Sequence, residues 1–328
     1  MHHSVAITAP ARLHLGFFDL NGVELNRRFG SIGLTIDRYH TQLFAKFTDA
    51  PSSHEGELAT MINAIEQRFY QQNPSIVPQP IDYQFPAMIP RHAGLGSGTQ
   101  LALTIGTALS HLYQLPINTT TIASQLQRGQ RSGIGIASFD GGGLIIDGGL
   151  GKDSVIPPII ARYPYPKDWC IILLLCQQKM GVHGQHEVNA FQQLPTFPTA
   201  SAQSICHHTL MQVLPALLEH NHQQFSDGIA AIQAHIGDYF SSAQGDRYSH
   251  PVIAQLLRYA DSLGFTGIAQ SSWGPTGCIF VENKISAQQL CHQLQQRLQQ
   301  LVDSPSHYQI LVAGGQNHGA TIEFPPHI

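Results

Sequence analysis

Pro90-Arg91-His92-Ala93-Gly94-Leu95-Gly96-Ser97-Gly98-Thr99-Gln100 runs directly into Leu101-Ala102-Leu103-Thr104-Ile105-Gly106-Thr107-Ala108-Leu109. Three glycines and two hydroxyl residues precede an apolar, Ala/Leu-rich segment long enough for several helical turns. Glycine lets the backbone turn and come close to a ligand without a Cβ in the way. A helix start leaves N–H groups unpaired and carries partial positive charge, so a phosphate docks there readily. Ser97 and Thr99 are placed to cap the helix, to meet a metal held by phosphate, or both. Gly94, Leu95, Gly96, Ser97, Gly98 and Thr99 are the candidate phosphate-binding residues, with an ordinary capped turn as the competing reading.

Upstream, Ile81 to Phe85 alternates as a strand and delivers the chain to this loop. At the start, Val5 to Ala9 reads as a strand ended by Pro10. A second strand begins at Ala11, with Arg12 and His14 on one face and Leu13 and Leu15 on the other. Asp19-Leu20-Asn21-Gly22 is a turn signal. Arg27-Arg28-Phe29-Gly30 suits anion binding as well as it suits a solvated hairpin tip. Strands are predicted at Gly33–Asp37 and Leu43–Phe47, and amphipathic helices at Glu57–Gln71 and from Asn118 to about Arg128. Arg131 to Gly149 is a second glycine-dense stretch, read as a loop ending in a short buried strand.

Composition shifts near Pro157-Pro158 and Pro164-Tyr165-Pro166, which sets expected domains at 1–163 and 164–328. Trp169 to Cys176 is almost continuously apolar, the pattern of a strand buried on both faces. Helical patterns follow at about 203–219, 222–240, 252–263 and 287–302, with strands at Thr266–Gln270, Thr276–Glu282, Tyr308–Ala313 and Ala320–Phe324. The second half therefore reads as an α+β sandwich with antiparallel strands.

A net charge of −4 gives no basic stripe, so nucleic acid is not an expected partner. The cysteines number five and form no C-x-x-C pair, which argues for reduced thiols in the cytoplasm. No apolar run is long enough to span a bilayer. The histidines number 19, so their adjacent pairs read as chance clustering and not as zinc ligands; His183 and Glu187 read as capping the start of a helix.

A strand carrying Arg12, a central glycine loop at a helix start, and a late Gly-Pro turn between two strands form a three-part pattern. It resembles the GHMP small-molecule kinase superfamily, whose phosphate loop P-x-x-x-G-L-G-S-S-A is similar to Pro90 through Thr99. The resemblance covers nearly the whole chain. It implies an α+β fold of two domains: an N-terminal domain like ribosomal protein S5 domain 2, and a ferredoxin-like α/β sandwich. Three departures stand out. The superfamily's second serine is Gly98, Gln100 replaces a small residue, and Gly135 follows Ser132-Gly133-Ile134 where mevalonate-kinase-like members carry a catalytic aspartate. Asp140 and Asp147 are the nearby carboxylates that remain.

One branch matches these departures. Arg12-Leu13-His14, Asp19-Leu20-Asn21-Gly22, Gly94 to Gln100, Arg131 to Gly135 and Gln270-Ser271-Ser272-Trp273-Gly274-Pro275-Thr276 resemble the β-ribofuranosylaminobenzene 5′-phosphate synthase family. That family joins 5-phosphoribosyl 1-pyrophosphate to 4-aminobenzoate with loss of pyrophosphate and carbon dioxide, in the making of methanopterin-type one-carbon carriers. The acidic-pair motif of ordinary phosphoribosyltransferases is absent, so this substrate choice rests on the resemblance. The resemblance implies a pentosyltransferase with Mg²⁺ and no organic cofactor, acting on a phosphoribosyl pyrophosphate and an aromatic acid, as a cytoplasmic homodimer. Carried onto this chain, it makes Arg12, Asp19, Arg28, Ser272 and Trp273 candidate catalytic residues. Arg131 joins the phosphate-binding set, and the Thr99 hydroxyl is the candidate Mg²⁺ contact through phosphate. His14 is read as a satisfied core histidine or a proton donor, and Asp19 equally as a turn cap. The competing functions are an ATP-dependent small-molecule kinase and a non-catalytic ligand-binding regulator of the same fold.

Overall fold

The computed structural model describes residues 4–22, 25–51, 53–177, 194–272 and 274–325. Trp273, His183 and Glu187 lie outside the described residues.

The first half is a layer of helices on an antiparallel sheet. Its strands are β1 (Ser4–Asp19), β2 (Arg27–Phe47), β3 (Ile81–Ala87), β4 (Leu144–Asp147), β5 (Leu150–Gly151) and β6 (Ile159–Tyr163). Its helices are α1 (Gly56–Gln72), α2 (Ser97–Leu112), α3 (Thr119–Gln125) and α4 (Ile134–Gly141). The second half begins with β7 (Cys170–Cys176). There follow α5 (Thr199–His208), a π-helical turn (Thr209–Val213), α6 (Leu214–Leu218), α7 (His222–Gln244) and α8 (Pro251–Ser262). Then come β8 (Ile268–Gln270), β9 (Gly277–Val281), α9 (Lys284–Leu301), β10 (Tyr308–Gly314) and β11 (Thr321–Glu323).

β1 runs straight through Pro10, where the sequence suggested a stop. Pro10 falls where the β1–β2 register shifts, so its missing N–H interrupts no regular ladder. The same irregularity joins two expected strands into the 21-residue β2, with Tyr39 at φ +65° beside the shift. Across the shift the apolar residues of β1 change company. Val5, Ile7 and Ala9 pack with Ile62 and Phe69 of α1 and Leu101, Ile105 and Leu109 of α2. Ala11, Leu13 and Leu15 pack with Ile171 and Leu173 of β7 and Phe225 and Ile229 of α7.

β7 is buried on both faces, as its unbroken apolar run predicts. Ile171, Leu173 and Leu175 face the shared core, while Ile172 and Leu174 meet Leu256 and Leu257 of α8 and Leu290 and Leu294 of α9. Its sheet has the order β10-β7-β9-β8, antiparallel throughout. This is the α+β, two-layer arrangement expected, with one correction. The strand expected at Ala320–Phe324 does not extend this sheet; β11 pairs with β1, Ala6 opposite Glu323, and forms the edge of the first sheet. A second correction concerns Arg131–Gly149, which contains α4. Its glycines and lack of a side-chain cap hid the helix, but Ile134, Ile136, Ala137 and Phe139 are buried along it.

Candidate active site

β3 hands the chain to the loop, and the loop enters α2 without a side-chain cap. Gly94 (φ +76°) and Gly96 (φ +84°) hold left-handed backbone that L side chains rarely adopt. At Gly94 a Cβ would run into the Ser271 carbonyl. The N–H groups of Thr99 and Gln100 turn back onto the Gly96 carbonyl, at 3.1 and 3.0 Å. The N–H groups of Ser97 and Gly98 have no partner among the described residues. A Cβ on Gly98 would meet nothing, so this first turn faces open space. Beside it lies a cavity of about 290 Å³, floored by Met61, Met88 and Leu101 and rimmed by Arg91 and Glu57. The capping alternative for Ser97 and Thr99 is therefore not realised.

Arg12 sits beneath this loop. Its backbone N–H donates to the Leu95 carbonyl (3.1 Å) and its Nη1 to the Gly94 carbonyl (2.8 Å). Its Nε is buried without a hydrogen-bond partner, and no carboxylate pairs with it among the described residues. Burial pulls its pKa down to about 10, which still leaves a cation at neutral pH. An uncapped helix start beside a guanidinium without a carboxylate partner is suited to an anion.

The second half of the chain locks the loop through Ser271. Its Oγ donates to the Gly94 carbonyl (2.7 Å) and accepts from the His14 N–H (3.0 Å). Next to it Ser272 has φ +56°, unusual for a non-glycine residue and a mark of strain at a site. The Ser272 N–H donates to the His14 carbonyl (2.9 Å), and its side chain lines a cavity of about 20 Å³ shared with His14, Phe17 and Gln270. His14 is only half of the satisfied core residue expected. Its ring packs on Phe17 and is buried, but Nε2 has no partner. Burial, with Arg12 nearby, pushes its pKa down to about 3, so the imidazole is neutral.

Gly135, in the place of the superfamily's aspartate, packs on the phosphate loop. A Cβ there would lie 2.9 Å from Thr99 Cγ2. Gln100 is buried and its Nε2 donates to the Gly135 carbonyl at 2.8 Å. Asp147 does not replace the missing carboxylate. Its oxygens accept from Ser132 Oγ (3.1 Å), Gly133 N–H (2.8 Å) and Gly149 N–H (2.9 Å), bracing the chain ahead of α4. Burial raises its pKa and these donors oppose the rise. Asp140 is exposed at the far end of α4.

Asp19 and Arg28 are not brought to the glycine loop. They sit at the other end of the β1–β2 hairpin, where Asp19 lies opposite Phe29. That is seven residues beyond Arg12, or roughly 23 Å of strand. The Asp19 carboxylate accepts from the Asn21 and Gly22 N–H groups (3.1 and 2.8 Å) and so caps its turn. Arg28 is exposed with its guanidinium over the Phe29 ring (5.6 Å). Arg131 immediately precedes Ser132, whose hydroxyl donates to Asp147 ahead of α4. What sequence reading missed is how Gln100 and Asp147 hold α4; the signal was that two departures from the superfamily pattern, Gln100 and Gly135, coincide.

The chain matches the family models for the GHMP kinases N terminal domain over residues 56–143 and the GHMP kinases C terminal over residues 213–300. Among solved structures it is similar to a homoserine kinase from Cytophaga hutchinsonii, with a TM-score of 0.71, 14% identity and 98% of each chain covered. It is also similar to a mevalonate diphosphate decarboxylase from Staphylococcus aureus, with a TM-score of 0.70, 15% identity and 98% of each chain covered. At such identity these show the fold. Sequence relatives go further. A β-ribofuranosylphenol 5′-phosphate synthase from Archaeoglobus fulgidus is 34% identical over 82% of this chain and 85% of its own. One from Methanocaldococcus jannaschii is 32% identical over 85% of this chain and 90% of its own. The chain belongs to the β-ribofuranosylphenol 5′-phosphate synthase family.

Proposed function

We propose that the protein is a pentosyltransferase that moves the phosphoribosyl group of 5-phosphoribosyl 1-pyrophosphate onto a para-substituted benzoate with loss of carbon dioxide. The reaction belongs to the making of methanopterin-type one-carbon carriers. The observation that carries this reading is the anion site built for a leaving group: Arg12 without a counter-ion under the open first turn of α2, with Gly135 where a kinase needs a carboxylate.

The bond from the ribose C1 to pyrophosphate oxygen breaks, and its electron pair leaves with pyrophosphate. The Ser97 and Gly98 N–H groups and Arg12 are placed to stabilise that charge. The ring carbon that bears the carboxylate attacks C1. Its bond to the carboxylate then breaks, the electron pair restores aromaticity, and carbon dioxide departs. No alcohol is deprotonated, so the missing carboxylate at 135 is no loss. Mg²⁺ would neutralise pyrophosphate charge; with Asp147 engaged elsewhere and Glu57 paired with Arg91, the Ser97 and Thr99 hydroxyls are the oxygen donors of the loop itself, which suits an ion carried on phosphate oxygens. Asp19 and Arg28, at the hairpin end, lie too far from the loop to reach a ribose bonded to pyrophosphate there, so they take no part in this reading.

The relatives are named for a ribofuranosylphenol, the hydroxy counterpart of the aminobenzene product expected from the sequence. The test therefore uses carboxyl-labelled 4-aminobenzoate and 4-hydroxybenzoate in parallel, with the phosphoribosyl donor, Mg²⁺ and no ATP. Labelled carbon dioxide from one of them is expected; none from either sinks the reading. Phosphoryl transfer from ATP would restore the kinase alternative. The same reading carries a cytoplasmic homodimer, checked by sedimentation. No helix among the described residues is long and apolar enough to cross a membrane.

A further inference from the structure

Gln100 and Gly135 are departures from the superfamily pattern that touch each other. Gln100 lies on the first turn of α2 with no exposed surface, and its amide donates to the carbonyl of Gly135, the second residue of α4, at 2.8 Å. Gly135 in turn presses on Thr99, with a hypothetical Cβ 2.9 Å from Cγ2 and 3.3 Å from Cβ of that residue. A side chain long enough to carry a carboxylate has no room at 135 in this arrangement. Charged and titratable groups in the adjoining segments are Arg12 on β1, Arg91 and His92 in the loop facing Glu57 of α1, Arg131 ahead of α4, and Asp147 on β4, whose oxygens are tied to Ser132, Gly133 and Gly149. The wall formed by Gly135, Gln100 and Thr99 is thus neutral, against a loop that offers N–H groups to an anion.

We propose that Gln100 is a positioning residue that keeps the turn carrying the Ser97 and Gly98 N–H groups in shape for an anion without adding charge behind it. The proposal rests on the function given above. By holding α4 against Thr99 it sets the first turn of α2, and it does so with a neutral amide, so that no carboxylate is buried behind the N–H groups offered to an anion.

Two substitutions separate charge from shape. Gln100→Glu keeps the outline and adds a carboxyl; Gln100→Met keeps the length and removes the donor. Binding of inorganic pyrophosphate with Mg²⁺ is measured by calorimetry and expressed relative to wild type at each pH. Gln100→Glu is expected to bind at least tenfold more weakly at pH 8 and within about threefold of wild type at pH 5.5, where a buried carboxyl is protonated and donates to Gly135 as the amide does. Gln100→Met is expected to show a smaller loss that is the same at both pH values. Binding by Gln100→Glu equal to wild type at pH 8, or a ratio that does not change with pH, overturns the proposal. If Gln100→Glu does not fold, Gly135→Ala is compared with Thr99→Ser/Gly135→Ala. The single variant is expected to lose at least tenfold in affinity and the double to recover most of it, since the serine lacks the opposing Cγ2. Additive losses overturn the proposal. A wild-type protein that binds pyrophosphate yet releases no carbon dioxide removes the proposed reaction, while the binding ratios still decide the role of Gln100.

Discussion

In the loop 90–100 the N–H groups of Ser97 and Gly98 face open space above the Arg12 guanidinium. In the stretch 131–149, equally rich in glycine, the N–H groups of Gly133 and Gly149 are both taken by Asp147. A Cβ on Gly98 would touch nothing, whereas one on Gly133 would meet the Pro157 carbonyl and Ile159, each at 3.1 Å. One run of glycines leaves its N–H groups open and the other lets the chain pack on itself. Composition does not distinguish them; the fate of the N–H groups and the presence of an internal carboxylate do. A buried Asp satisfies a glycine turn from within, so no exogenous anion is needed there.

The largest expected effect that tests this contrast is Arg12→Met, which removes the cation from the open loop. Turnover, followed as carbon dioxide release, should fall about 10²–10³-fold. The melting temperature should hold, because no ion pair within the described chain is lost. A loss under threefold would break the contrast. Next come two alanines in the same loop. Gly94→Ala forces a left-handed φ of +76° and a collision with the Ser271 carbonyl, and should cost about 2 kcal/mol or more in urea unfolding. Gly98→Ala enters open space within a helix and should stabilise by up to about 1 kcal/mol. Equal effects at the two positions would show that the loop has no open side. Asp147→Asn presents an amide donor to groups that are themselves donors, at a cost of about 1–3 kcal/mol. Its damage should appear in stability, with the KM for the phosphoribosyl donor within about twofold of wild type if the closed stretch only packs.

The last effect is in pH dependence. The His14 pKa falls to about 3 on folding, so the unfolded chain binds its proton first. Stability should therefore decline as pH falls below about 6.5, with a slope of up to ~1.4 kcal/mol per pH unit from this group. His14→Asn should flatten that part of the curve in urea titrations between pH 7 and 4.5. An unchanged slope would show that His14 is not the group responsible.

Much of this was legible in the amino-acid order. The loop–helix junction at Gly96, the Asn118 cap on α3 and the doubly buried β7 were all read from local pattern, because each depends on residues adjacent in sequence. What escaped depends on distant partners. Pro10 looked like a strand end because the irregular register opposite it, near Tyr39, is invisible locally. α4 looked like a loop because its stability comes from burying Ile134 and Phe139 against other elements, and glycine obscures the pattern. Asp19 was equally readable as a turn cap or a site residue; the cap is present, and its remoteness from Arg12 follows only from the length of β1. Gln100 was visible as a departure, but its meaning required the Gly135 carbonyl 35 residues away.

The pairing of β11 with β1 has a bearing on how the protein is made. A ribosome delivers Ser4–Asp19 early, yet the strand that flanks it, Thr321–Glu323, emerges some three hundred residues later. Until then the outer edge of β1 presents unpaired backbone, an invitation to wrong partners. The nascent first domain must wait with an open seam, and its closure is a late, long-range event that local helix formation cannot hasten.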